Sequence, residues 1–109
     1  MKRLVIFGSG SGSNAENICV YFKNSSSIQV VAIYTNNKNA FIVQRAKKLR
    51  IPLVLITKTD LNEVSGLQKK LLKCRADYIV LAGFLLKIPS EITAFYSKKI
   101  INIHPSLLP

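Results

Sequence analysis

The chain has 109 residues, 49% of them apolar, which is enough for one small domain with a real core and excludes a disordered or low-complexity segment. Lysine and arginine number 16 against 5 aspartates and glutamates, a formal net charge of +11. The basic residues are scattered over Lys2/Arg3, Arg45/Lys47/Lys48/Arg50, Lys69/Lys70/Lys73/Arg75 and Lys98/Lys99 with no aromatic residues interleaved, so they read as solvated helix faces and speak against a nucleic-acid surface. The surplus would still attract phosphorylated small molecules.

Residues 2–7, KRLVIF, form a short run closed by Gly8 and read as a strand. Similar runs follow at 28–34, 53–56, 77–82 and 99–103, several of them continuously apolar, as in strands buried on both faces. Between them apolar residues return at helical spacing: Ile18, Tyr21 and Phe22; Ile42, Ala46 and Leu49; Val64, Leu67 and Leu71. Asp60 and Glu63 read as a capping pair opening the third of these helices, and 89–96 as a short fourth. This alternation implies parallel strands joined by crossover helices, hence an open, doubly wound α/β sheet covered on both faces.

The apolar run 4–7 ends at Gly8, too early for a signal peptide, and the longest later stretch, 78–86, contains Gly83 and falls far short of a bilayer span. A cytoplasmic protein without a membrane partner is expected. Cys19 and Cys74 lie in helical segments with no CxxC and no second histidine, so they are expected to be reduced core or boundary residues and no metal is expected.

In such sheets ligands bind beyond the carboxyl ends of the strands. Residues 8–14, GSGSGSN, follow the first strand and open the first helix. The glycines allow close backbone approach, the serines and Asn14 supply donors, and the helix N-terminus adds unpaired N–H groups, which together suit an anion, best a phosphate. No lysine follows the last glycine, which excludes a Walker-type loop. The spacing GxGxG departs from the dinucleotide fingerprint, and Tyr34-Thr35-Asn36 offers no acid for a ribose. A nicotinamide or flavin cofactor is the weaker alternative, and a tight turn without ligand a third.

The only histidine, His104, follows the last strand and precedes Pro105. Asn102 lies two residues earlier on the same strand, so the two side chains share a face. An amide and an imidazole at the carboxyl end of an inner strand suit an oxyanion: Asn102 can donate a hydrogen bond to it, and His104 can donate another or shuttle a proton. The five acids, Glu16, Asp60, Glu63, Asp77 and Glu91, read mostly as caps, strand starts or helix surface, and none obviously orients the imidazole.

GSGSN at 10–14, LAGF at 81–84 and NIHPSLLP at 102–109 together resemble the phosphoribosylglycinamide formyltransferase family, folate-dependent enzymes of purine synthesis, over essentially the whole chain. The resemblance implies a Rossmann-like formyltransferase fold, incomplete at the C-terminus, with 1–109 as its phosphate-binding half. It implies that Gly12, Ser13 and Asn14 hold the phosphate of glycinamide ribonucleotide. Leu85, Leu86, Lys87 and Ile88 would line the folate pocket through backbone contacts, and 105–108 would shape the site floor. Asn102 and His104 would be two of three catalytic residues, acting as the substrate amine attacks the formyl carbon of 10-formyltetrahydrofolate. Leu85-Leu86-Lys87-Ile88 stands where many relatives carry a Met-Arg-Ile-Leu type segment, and the family's catalytic aspartate would lie beyond residue 109. A fragment of this kind is expected to be inactive alone and, with a sheet edge exposed, to self-associate, for example as a homodimer. The alternatives are methionyl-tRNA formyltransferase, whose substrate makes better sense of +11, formyltetrahydrofolate hydrolase, and a non-catalytic nucleotide- or RNA-binding module.

Overall fold

The computed structural model describes residues 1–103. Five strands, β1 (Lys2–Phe7), β2 (Ile28–Thr35), β3 (Leu53–Leu55), β4 (Tyr78–Ala82) and β5 (Ile100–Ile103), form one sheet in the order β3-β2-β1-β4-β5. Every pairing is parallel. The doubly wound architecture expected from the alternating pattern is therefore present. The chain winds outward from β1 to β3, then returns to the other side of β1 for β4 and β5, so the order reverses between β1 and β4.

β1 shows why the sheet is covered on both faces. Leu4 and Ile6 pack into one buried cluster with Ala15, Cys19, Ile42 and Ala46, contributed by α1 (Ser13–Tyr21) and α2 (Phe41–Leu49). Val5 and Phe7, pointing the opposite way by the two-residue period of a strand, join Leu67, Leu71, Ile92 and Tyr96 from α4 (Val64–Lys73), α5 (Ser90–Phe95) and the residue after α5. Each fully buried aliphatic side chain of this size stabilises by about 1.5–3 kcal/mol, and the layers are held together chiefly by that burial.

The structure departs from the sequence reading in several places. A short helix, α3 (Lys58–Asn62), precedes α4, and its capping box pairs Thr57 with Asp60: the Thr57 hydroxyl accepts from the Asp60 N–H at 3.1 Å and the Asp60 carboxylate from the Thr57 N–H at 2.9 Å. Asp60 is thus the third residue of that box, while Glu63 precedes α4 without a side-chain cap. Tyr21, expected on the apolar stripe of the first helix, is 80% exposed; Ala15 and Cys19 face the sheet with half-buried Ile18 and Phe22 beside them. The Val64 side chain lies outside the described residues. β2 carries one extra residue against β1, since Leu4 pairs with Val30 but Val5 with Ala32, and this bulge switches the parity of the buried positions. Cys19 is buried and Cys74 half-buried, the core and boundary positions expected for them.

Arg50, Arg75 and Lys98 adopt left-handed conformations (φ 59, 54 and 63°) just past the ends of α2, α4 and α5. Glycine is the usual residue there, and basic side chains at such ends gain from the helix dipole.

Candidate functional site

The loop at 8–14 is shaped by what lies under it. Gly12 has φ +78°, and a Cβ there would fall 2.6 Å from Ile42 Cγ1 and 2.9 Å from Ile42 Cα, so only glycine fits at the start of α1. The Ile42 N–H donates to Gly10 O at 3.1 Å and the Glu16 N–H to Gly12 O at 2.8 Å. α2 therefore holds the loop from below, and α1 closes its far end. The N–H groups of Asn14 and Ala15, in the first turn of α1, find no acceptor among the described residues. With the exposed Ser13 and half-buried Asn14 side chains they form a cluster of donors at the positive end of a helix.

Arg45 fastens this arrangement. Its Nε donates to Ser11 O at 2.6 Å, its Nη1 to Glu16 Oε1 at 3.0 Å, and its guanidinium lies 4.9 Å from the centre of the Phe41 ring. The residue expected to sit on a solvated helix face is thus a clasp between α2, the loop and α1. Its hydrogen bond holds the Glu16 carboxyl below the usual range, with Lys48 at 3.5 Å adding to the effect against partial desolvation. An acid next to an anion site would repel the anion; here its charge is already met by two cations.

The loop also meets the other strand ends. The Gly8 N–H donates to Tyr34 O at 2.9 Å and the Ser9 N–H to Gly83 O at 3.2 Å. The segment after β4 begins with left-handed Gly83 (φ 73°) and packs Phe84 edge-on against Phe7. Leu85 is 82% exposed and Ile88 is buried. The N–H groups of Leu86, Lys87 and Ile88 have no acceptor among the described residues, and a cavity of about 470 Å³ runs between Leu86–Ser90 and Lys58, Leu61 and Asn62. A larger cavity, about 820 Å³, opens at the opposite end of the sheet around Met1, Ile28 and Arg50, so volume alone does not point to the strand ends that bear this chemistry.

Asn102 is on β5, paired with Leu81 of β4, and is exposed. The structure thus brings 8–14, 83–88 and Asn102 to the carboxyl ends of β1, β4 and β5, on three adjacent strands. His104 and residues 105–108 lie outside the described residues. Ser9, which the sequence reading counts only among the serines offering donors to an anion, has another part: it is 4% exposed, and its hydroxyl joins two further loops. Its one signal in the sequence was its place directly after the first glycine of the loop. Among the described residues no group of three or more His, Cys, Asp or Glu side chains is arranged to hold a metal ion, and no helix is long and apolar enough to cross a membrane.

Residues 2–109 match the formyl transferase family. The chloroplastic phosphoribosylglycinamide formyltransferase of Arabidopsis thaliana is 35% identical over 99% of this chain and 39% of its own length. The phosphoribosylglycinamide formyltransferase of Bacillus subtilis (strain 168) is 31% identical over 100% of this chain and 58% of its own. The crystal structure of glycinamide ribonucleotide transformylase 1 from Geobacillus kaustophilus superposes with a TM-score of 0.87 at 32% identity, covering 100% of this chain and 61% of that one. The chain therefore spans less than two thirds of each of these relatives, 39 to 61% of their length. With its sheet order, its glycine-rich first loop and a match running through residues 2–109, the chain belongs to the formyl transferase family.

Proposed function

We propose that these residues are the N-terminal, phosphate-binding half of an enzyme that transfers a formyl group from 10-formyltetrahydrofolate to the amine of glycinamide ribonucleotide. The observation that carries this reading is the donor cluster at Gly12, Ser13 and Asn14, set at the carboxyl end of β1 next to the segment after β4. A phosphate there would accept from the free N–H groups of Asn14 and Ala15 and from the side chains of Ser13 and Asn14, each a charge-assisted bond. The relatives named for this reaction support the choice of acceptor.

The segment after β4 fits a folate. Its unpaired N–H groups at Leu86, Lys87 and Ile88 can bond the polar edge of a pteridine-type ring, and Leu85 and Leu86 offer apolar contact to the ring faces. Folate brings the activated formyl group; binding and orienting it falls to the protein. Asn102 would donate a hydrogen bond to the oxyanion that develops on the formyl oxygen, and His104 would donate a second or carry the proton lost by the attacking amine. The amine ends with one N–H exchanged for an N–C bond, and the released folate nitrogen takes up the proton.

The test is formyl transfer by the polypeptide at its full natural length, with glycinamide ribonucleotide and methionyl-tRNA as rival acceptors. Transfer to the ribonucleotide alone is the expected result. Transfer to the tRNA alone would replace this reading by the one that the +11 charge favours, and transfer to water alone would make the protein a hydrolase.

A further inference from the structure

Ser9 and Thr35 are the buried polar side chains among the described residues, and Ser9 has no part in the chemistry above. Its hydroxyl donates to Asn36 Oδ1 at 2.5 Å and accepts from the Leu85 N–H at 2.9 Å. Its own N–H donates to Gly83 O at 3.2 Å. Among the described residues these are the only backbone hydrogen bonds made by the segment 83–88, and both go to Ser9. Asn36 follows β2, Ser9 follows β1, and Gly83 and Leu85 follow β4, so one small residue ties the loops of three adjacent strands. A hydroxyl has one proton and can accept through its lone pairs; here the proton goes to Asn36 and a lone pair to Leu85.

We propose that Ser9 is a positioning residue, which fixes the formyl-donor segment 83–88 relative to the nucleotide-phosphate loop so that amine and formyl carbon meet in register. This rests on the functional reading above. Ser9 lies three residues before Gly12 and its hydroxyl is engaged by Asn36 and Leu85, yet its removal frees the donor segment on one side only. Ser9→Ala strips the acceptor from the Leu85 N–H and the donor from Asn36 while leaving Gly12, Ser13 and Asn14 in place. The reaction is sensitive to such play, since a misplacement of about 1 Å costs roughly 100-fold in rate.

The experiment compares wild type, Ser9→Ala, Asn36→Leu and Asn36→Asp in the polypeptide at its full natural length. It reads kcat, the Kd for glycinamide ribonucleotide alone, and amide hydrogen exchange at Leu85. For Ser9→Ala the expected result is Leu85 exchange faster by about tenfold or more and kcat lower by about tenfold or more, with the nucleotide Kd held within about twofold. Asn36→Leu, which leaves the Ser9 hydroxyl in place but unanchored, is expected to show a smaller version of the same split, and it serves as the test if Ser9→Ala does not fold. Asn36→Asp keeps the acceptor and should recover most of the turnover that Asn36→Leu loses. Unchanged exchange at Leu85, faster exchange with unchanged kcat, or equal losses in kcat and nucleotide affinity would each overturn the proposal. A wild type that transfers no formyl group would instead strike the functional reading, and the Leu85 exchange would still decide whether the tie exists.

Discussion

The loop at 8–14 and the segment at 83–88 meet at the same end of the sheet and are held in opposite ways. The first is clamped: Ile42 fills the space beneath Gly12, Arg45 binds Ser11 O and Glu16, and the Ile42 N–H reaches Gly10 O. The second is tethered, with two hydrogen bonds to Ser9, a ring contact between Phe84 and Phe7, and a buried Ile88 at its far end. The difference fits the division of labour proposed for them. A phosphate needs donors preorganised in one geometry, because reorienting them on binding would cost affinity. A larger, flatter ligand bonded by backbone groups needs those groups left unpaired, which makes the segment that carries them less well held.

Breaking the clamp should have the largest effect. In Gly12→Ala a left-handed residue other than glycine costs about 1–2 kcal/mol, and crowding Ile42 adds about 1–3 kcal/mol. The expected outcome is a lower denaturation midpoint together with loss of nucleotide binding, measured by chemical unfolding and calorimetry. Asn14→Ala leaves the clamp intact and removes a donor to an anion, worth about 1.5–3 kcal/mol, so nucleotide affinity should fall by at least tenfold with the midpoint unchanged. A fall in the midpoint would mean that Asn14 serves the fold.

Two smaller effects sharpen the comparison. Burial on the α1 face pushes the Cys19 thiol from 9.0 up to about 11, with Glu16 adding to it. Between those values the unfolded chain has lost a proton that the folded chain keeps, so stability is full below pH 9.0 and falls as pH rises toward 11. Cys19→Ala should flatten that alkaline limb in pH-dependent unfolding; an unchanged slope would assign it to other groups. Leu85→Ala, on the tethered segment, removes a side chain that is 82% exposed and should move stability by no more than about 0.5 kcal/mol while raising the KM for the formyl donor. A large loss of stability would show that the tethered segment is as structural as the clamped loop.

The strands were legible because short apolar runs bounded by glycine, proline or aspartate have few other uses in a chain of this size, and their ends fell within one residue of those observed. The glycine-rich loop between β1 and α1 was legible because its glycines, serines and asparagine are contiguous. What escaped depends on partners distant in sequence. Ser9 bonds residues 27 and 76 positions away, and Arg45 reaches Ser11 across 34. The β2 bulge cannot be read from IQVVAIY, where every shift of register still finds apolar residues. Tyr21 went astray because the buried stripe of its helix runs through Ala15, Ile18, Cys19 and Phe22, and the helical period turns Tyr21 off that face into solvent.

The most direct test of the division between binding and chemistry is to measure, in the polypeptide at its full natural length, both nucleotide affinity and turnover for His104→Ala beside Ser13→Ala. The account predicts that His104→Ala keeps the nucleotide Kd and loses about 100- to 10,000-fold in turnover, while Ser13→Ala weakens the nucleotide Kd and retains most of its turnover at saturation. Full turnover in His104→Ala, or a nucleotide Kd indifferent to Ser13, would contradict it.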